Sequence, residues 1–157
     1  MRKILDFIQE IGTIMYVGGI LSHIVIGVVL GHPDAETAYH VYIYKETSAY
    51  ILILPGLALK VVCDLLLYFA LGVKANWLKG KMLMMTFLAV NAFVFLVPMM
   101  PELVELAHES LPSGEVSQAF LDRTATEQLV GMSNVIPLIL ELVLGSFKPR
   151  LFGERSH

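Results

Sequence analysis

Charged residues are scarce in this chain and cysteine is almost absent. Only 16% of the 157 residues are Asp, Glu, Lys or Arg, whereas a soluble domain keeps roughly a quarter of its residues charged. The single cysteine, Cys63, cannot form a disulfide within the chain, and a CxxC metal or haem-attachment motif is lacking. Also missing are a phosphate-binding loop, a nucleic-acid-binding signature and a nucleophile–base pair at recognisable spacing. These absences argue against a soluble enzyme and leave catalytic residues unknown.

Apolar residues are what the sequence has in excess. They form 56% of the chain, and the mean hydropathy is +0.70. Each of the longest apolar runs is close to the ~20 residues that a helix needs to cross a bilayer. These runs are 11–31, 49–73, 82–100 and 129–147. An open strand would leave backbone groups unpaired in lipid. The sequence therefore predicts an all-α integral membrane four-helix bundle, with 1–157 as a single domain.

The basic residues predict how these helices are oriented. Lysine and arginine accumulate on the cytoplasmic side of membrane proteins. Most of them lie at the two termini or between the second and third runs, namely Arg2, Lys3, Lys74, Lys79, Lys81, Lys148, Arg150 and Arg155. Only Lys45 and Arg123 lie in the other two connections. Both termini are therefore predicted to be cytoplasmic, and 32–48 and 101–127 are predicted to be outer loops.

The second outer loop carries helical signals of its own. The segment "PELVELAHESL" after Pro101 has leucines near helical spacing and is predicted to extend the third helix. The tripeptide "PSG" at 112–114 predicts a turn. The segment "SQAFLDRTATEQLVGM" that follows is predicted to be a helix that leads into the fourth run.

Ionisable residues interrupt the apolar runs. A charged side chain at the bilayer centre costs about 2.5–3.5 kcal/mol on insertion scales, so such groups usually face other helices or a cavity. In the second run, Lys60 and Asp64 belong to a row with a spacing of four residues, together with Gly56, Tyr68 and Gly72. Residues four apart are neighbours on one helix face. Lys60 and Asp64 are therefore predicted to be able to pair along the same helix.

The other runs carry similar rows. In the first run the row is Gly19, His23, Gly27 and Gly31, which predicts a close helix contact with His23 inside the bundle. In the fourth run, Glu127, Asn134 and Glu141 recur every seven residues, and Pro137 is expected to bend the helix. The third run contributes Asn91. The rows are predicted to meet around one polar axis, with a functional interior of His23, Lys60, Asp64, Lys81, Asn91, Asn134 and Glu141.

Three pieces of the chain resemble a known group of small membrane proteins. They are "IMYVGGIL", "ILILPGLAL" and "WLKGKMLMM". They resemble the HemJ-type protoporphyrinogen oxidases, the copper-resistance CopD domains and related uncharacterised four-helix proteins, over about residues 5–100. In this alignment Trp77 and Lys81 match the family's Trp-x-x-x-Lys positions. Gln9 stands where HemJ-like members have a histidine, so the resemblance does not imply oxidase activity on a porphyrinogen.

The resemblance implies a redox-associated protein of the bacterial inner membrane that binds haem b, a quinone or a similar ligand. His23 would be the metal ligand or a hydrogen-bond donor, Lys60 and Lys81 would hold anionic groups such as propionates, and Asp64 and Glu141 would tune their charge. Two other interpretations come from the polar residues alone. One is a proton- or ion-coupled transporter that works as a homo-oligomer. The other is an accessory subunit of a larger membrane complex, whose glycine face and acidic outer loops would dock the partner. A plainer alternative is that the polar rows only hold the four helices together and fix their register.

The predicted orientation can be tested with a reporter fused after His157. A reporter that functions only in the cytoplasm is expected to be active there, because the basic residues flank both termini. The matching reporter that functions only after export is expected to be inactive at the same position. Activity of the exported reporter would contradict the predicted orientation.

Overall fold

The structure, a computed structural model, describes residues 2–149, and in this range the chain is built from four long helices. They are α1 (Arg2–Leu30), α2 (Ala35–Ala70), α3 (Asn76–Ser113) and α4 (Gln118–Phe147). All of them are long and apolar enough to cross a membrane. The predicted all-α class and the predicted helix count are confirmed for this range. Arg150 and Arg155, which entered the orientation argument, lie outside the described residues.

The helices pack in chain order. Helix α1 lies against α2, α3 lies against α4, and the first half of α2 lies against the second half of α3. A buried apolar cluster holds Leu5 of α1, Leu67 of α2 and Trp77 of α3, with Leu144 of α4 packed against it. This end of the bundle, which we call the base, therefore contains the start of α1, the α2–α3 connection and the end of α4. The opposite end is called the top.

The helices are longer than the apolar runs. The segment 32–48, expected as an outer loop, is helical from Ala35 onward. Asp34 caps this helix by accepting a hydrogen bond of 2.8 Å from the amide of Thr37. The hydrogen bonds that Thr37 donates, from its side chain and its backbone, hold the pKa of Asp34 below its usual range. At the other top connection, α3 continues past Pro101 and the chain turns at Gly114, as the sequence predicts.

Prolines coincide with irregular turns in three helices. A π-helical turn, Ala49–Ile53, precedes Pro55 in α2, and a second one, Asn91–Leu96, precedes Pro98 in α3. Helix α4 is interrupted at Asn134, three residues before Pro137. Proline has no amide hydrogen and clashes with the preceding turn, so a helix that contains it bends or widens there. The bend predicted from Pro137 is thus matched by a break in α4.

Two glycines bring α1 and α2 into backbone contact. A methyl group added at Gly56 would lie 2.6 Å from the amide nitrogen of Tyr16 and 2.8 Å from the carbonyl oxygen of Gly12. Of the three glycines in the row Gly19–Gly31, which predicts this contact, only Gly19 meets α2. At Gly27 and Gly31 an added methyl group would find open space. The closest contact therefore lies nearer the base than the sequence predicts.

Helix α1 separates from the bundle towards the top. The apolar cluster of the top half is built from α2, α3 and α4 alone: Ala38, Tyr42, Met99, Met100, Leu103, Ala107 and Phe120. The central cluster, by contrast, includes Tyr16 of α1. Near the end of α1, Val28 and Val29 are 77% and 79% exposed. The last two turns of α1 thus present an uncovered apolar surface.

The glycine contact predicts that alanine at Gly56 lowers the stability of the protein, whereas alanine at Gly18 does not. Gly56→Ala is expected to lower the free energy of unfolding by about 1–3 kcal/mol, because the methyl group would force two backbones apart. Gly18→Ala is the matched control, since a methyl group there has no neighbour within 4 Å. It is expected to be neutral or to stabilise by up to about 1 kcal/mol. Equal stabilities of the two variants in detergent unfolding experiments would contradict the close approach.

Candidate functional site

Four charged side chains from three helices meet in the base half of the bundle. They are Lys60 and Asp64 of α2, Lys81 of α3 and Glu141 of α4, and together they are called the charge cluster. The Nζ of Lys81 lies 2.7 Å from Asp64 Oδ1 and 3.5 Å from Glu141 Oε1. The Nζ of Lys60 lies 3.0 Å from Glu141 Oε2. The ions therefore alternate in sign in the order Lys60, Glu141, Lys81, Asp64.

The charge cluster is buried and electrically balanced. Lys60, Asp64 and Glu141 are each 1% exposed, and Lys81 is 2% exposed. Two ammonium groups face two carboxylates, so the formal charges cancel. Removing a charge from water costs several kcal/mol even after relaxation, and attraction offsets this cost only when partners are close and well placed. Each side chain of the charge cluster can therefore be buried only while the others balance its charge.

Helix α1 completes the cluster with two neutral side chains. Gln9 Nε2 donates a hydrogen bond of 2.5 Å to Asp64 Oδ1, and Lys60 Nζ donates one of 2.8 Å to Thr13 Oγ1. Two carboxylate oxygens have no hydrogen-bond donor among the described residues, Asp64 Oδ2 and Glu141 Oε2. Glu141 Oε2 is within ion-pair distance of Lys60 without hydrogen-bond geometry. Asp64 Oδ2 is the oxygen whose accepting capacity is unused.

The predicted pairing of Lys60 with Asp64 along α2 is replaced by pairing between helices. Each lysine reaches a carboxylate on another helix, and the ion pairs of the described residues do not include Lys60 with Asp64. Gly145 of α4 leaves room for Lys81, because a methyl group there would lie 3.3 Å from Lys81 Cε.

A neutral polar layer lies at mid-height. Asn91 Nδ2 donates a hydrogen bond of 2.7 Å to Asn134 Oδ1 and one of 3.2 Å to Ser133 Oγ. These bonds join the start of the π-helical turn of α3 to the break in α4. The structure thus brings together Asn91 and Asn134, as the polar rows predict.

A second buried ion pair occupies the top half of the bundle. Lys45 of α2 bonds to Glu127 Oε1 of α4. Tyr42 donates a hydrogen bond of 2.8 Å to Glu127 Oε2, and its ring lies 4.6 Å from Lys45 Nζ. Sequence reasoning missed Lys45, because the segment 32–48 is too polar to indicate a buried helix. The available signal was Glu127, which heads the seven-residue row of α4 and so required a partner.

His23 lies apart from the charge cluster. It is half-buried, and its Nε2 lies 2.7 Å from Ser48 Oγ in the top half of α2. Among residues 2–149, no group of three His, Cys, Asp or Glu side chains could hold a metal ion. Lys60 and Lys81, assigned above to propionates, are already paired with carboxylates at another height. This arrangement does not fit the haem site that the resemblance implies, or a metal site on His23.

Comparisons of this chain with protein-family models, with curated proteins and with solved structures gave no match. The likeness to the HemJ-type group therefore rests on the three sequence pieces alone and stays a prediction.

The charge balance predicts which variants lose stability. Glu141→Gln is expected to lower the free energy of unfolding by about 3–5 kcal/mol, because it leaves a buried ammonium group without compensation. The double variant Lys60→Met with Glu141→Leu removes one charge of each sign. Its free energy of unfolding is expected to exceed that of the parent protein or to fall below it by no more than about 1 kcal/mol.

Unfolding in detergent with denaturant measures both effects. Glu102→Gln is the matched control, because Glu102 pairs with Arg123 on the surface at 47% side-chain exposure. This variant is expected to change stability by less than about 1 kcal/mol. A double variant as unstable as Glu141→Gln would refute the balance argument.

Proposed function

We propose that α1 to α4 cross a membrane, with both chain termini in the cytoplasm of a bacterium. The outward apolar side chains and the apolar character of all four helices support insertion. At the base, Lys3, Lys74, Lys79 and Lys148 gather near the two termini and the α2–α3 connection. Beyond the apolar runs at the top, Lys45 and Arg123 are both engaged by carboxylates. The base is therefore the side expected in the cytoplasm.

Within this placement we propose that the protein is a proton-coupled carrier whose coupling site is the charge cluster. The supporting observation is the stacking of polar groups at three heights on one face of α4. Glu127, Asn134 and Glu141 are all buried, and each contacts a polar side chain of another helix. Seven residues of helix span about 10 Å. Polar groups thus recur at about 10 Å steps along the bundle.

Apolar side chains separate the layer of Asn91 and Asn134 from the charge cluster. Leu88 and Met85 of α3 are buried with Tyr16 and Leu57, and Leu138 of α4 packs against them. A continuous water-filled channel would be interrupted by this buried apolar layer. Proton transfer between layers therefore requires helix movement, and the π-helical turns and the break at Asn134 are the places where a helix bends most readily. This arrangement favours a carrier over an open channel.

The charge balance supplies the coupling. A proton added to Glu141 would leave Lys60 and Lys81 opposite one carboxylate, Asp64. The excess positive charge is costly in apolar surroundings. Protonation of Glu141 is then tied either to the loss of a proton from a lysine or to the arrival of an anion. Such a tie between proton uptake and a second charge movement is what a coupled carrier needs.

A homo-oligomer is part of this proposal. Four helices leave a narrow path in one monomer, and the uncovered top of α1 offers a surface for a second copy. Gly27 and Gly31 lie there with open space in front of them. Small residues on an exposed helix face allow close contact between membrane helices.

Proton flux into liposomes tests the proposal. With a pH-sensitive dye enclosed and a pH gradient imposed, the parent protein is expected to carry protons. The variant Lys60→Met with Glu141→Leu is expected to fold but to lose flux by roughly a hundredfold, since it removes a proton-exchanging group. Glu105→Gln, at an exposed site of α3, is the control and should keep the flux of the parent protein. Parent flux equal to that of empty liposomes would refute the function.

A further inference from the structure

The base carries exposed basic side chains without acidic partners. Lys74 lies in the α2–α3 connection, Lys79 lies in the first turn of α3, and Lys148 ends α4. The segments 65–80 and 142–149 contain no Asp or Glu. Among the described residues, the ion pairs involve none of these three lysines, whereas both basic side chains beyond the apolar runs at the top are paired. The base therefore presents positive charge that the protein itself does not compensate.

Aromatic rings hold Lys74 in position. Its Nζ lies 3.4 Å from the centroid of the Tyr68 ring and donates a hydrogen bond of 3.1 Å to the carbonyl oxygen of Tyr68. The ring of Phe69 packs edge-on against that of Tyr68, with 5.0 Å between centroids, and Phe69 is 72% exposed. An ammonium group has three hydrogens to donate, so Lys74 keeps donors for an external acceptor. A held cation with spare donors thus lies beside an outward apolar ring.

Lys148 repeats this arrangement at the end of α4. Its Nζ lies 5.6 Å from the ring centroid of Trp77, and the neighbouring Phe147 is 78% exposed. Lys148 also has a left-handed backbone conformation, with φ 45° and ψ 52°, at a helix end where glycine is the usual residue. A side chain strains this conformation, and strained positions of this kind concentrate at functional sites. The backbone alone therefore does not account for a lysine here.

The rings beneath the two lysines belong to one apolar cluster of the base. Trp77 is a member of that cluster, and Tyr68 packs against it. In the proposed placement the base lies at the cytoplasmic boundary of the bilayer, where tryptophan and tyrosine are enriched. An occupant of this surface must offer negative charge to the ammonium groups and apolar chains to the outward phenylalanines. Inorganic phosphate has only the first property, whereas an anionic phospholipid has both.

We propose that this surface, formed by Lys74 and Lys148 with the rings of Tyr68 and Trp77, binds the headgroup of an anionic phospholipid. The phosphate accepts hydrogen bonds from the ammonium groups, and the acyl chains lie along the outward phenylalanines. Basic side chains at the cytoplasmic ends of membrane helices are where anionic headgroups bind. The inference rests on the proposed membrane placement, with the base in the cytoplasm, and does not depend on proton transport.

The single tryptophan of the chain, Trp77, reports lipid binding at this surface. Phospholipids with brominated acyl chains quench tryptophan fluorescence when they come close. The protein is reconstituted in mixtures of brominated and ordinary lipid, and the quenching gives the binding constant of phosphatidylglycerol relative to phosphatidylcholine with the same acyl chains. The parent protein is expected to prefer phosphatidylglycerol by at least about tenfold, because each basic residue close to anionic lipid contributes about fivefold.

Two variants and a control complete the test. Lys74→Gln and Lys148→Gly are each expected to lower the preference for phosphatidylglycerol by about fivefold. Lys148→Gly is also expected to keep or raise the stability of the protein, because glycine adopts the left-handed conformation without strain. Lys3→Gln removes the same charge from an exposed lysine of α1 that is not part of this surface. It should keep the preference within about twofold, since salt screens exposed charges outside the site.

The outcomes separate the inference from the membrane placement. An unchanged preference in Lys74→Gln or Lys148→Gly, an equal loss in Lys3→Gln, or displacement of phosphatidylglycerol by inorganic phosphate would each overturn the inference. Equal binding of the two lipids, with quenching by both, would overturn it as well but leave the membrane placement standing. Absence of quenching by either lipid would overturn the placement and the inference together.

Discussion

The cost of burying charge governs the rest of this structure. None of the four members of the charge cluster could stay buried alone, because a single ammonium or carboxylate group in apolar surroundings costs more than helix packing at one site returns. Lys60, Asp64, Lys81 and Glu141 come from three helices, so their mutual contact sets the rotation and the height of each helix. In the proposed membrane placement, apolar contacts alone would not do this, since lipid tails solvate leucine as well as another helix does.

The close approach of α1 to α2 and the break in α4 also bring buried polar side chains to their partners. The backbone contact at Gly12 and Gly56 brings α1 near enough for Gln9 and Thr13 to reach the charge cluster. The break in α4 coincides with Asn134, whose side chain accepts a hydrogen bond from Asn91. This departure from ideal helix geometry thus lies where two polar side chains meet. This is a pattern common to functional sites in helices.

The sequence is sufficient to predict that the ionisable residues of the second and fourth runs are buried and insufficient to predict their partners. Periodicity placed Lys60, Asp64 and Glu141 on inward faces, and all three are buried. Partner choice depends on how neighbouring helices are rotated, which the spacing within one helix does not contain. Lys45 was assigned to a loop, because its surroundings lack the apolar run that marks a buried helix. The glycine contact shifted from Gly27 and Gly31 to Gly12 and Gly56, since spacing identifies a face but not the helix it meets.

The long sequence separation between Lys60 and Glu141 has a consequence for biosynthesis. In the proposed membrane placement, the helices leave the ribosome in chain order, so α2 enters the bilayer before α4 exists. During this interval Lys60 lacks its final partner, and Asp64 is the one acid of α2 four residues away on the same face. The intrahelical pair that the finished fold does not use is therefore the arrangement available to the nascent chain. Glu141, the partner of Lys60 in the folded protein at 3.0 Å, becomes available only once α4 has been made.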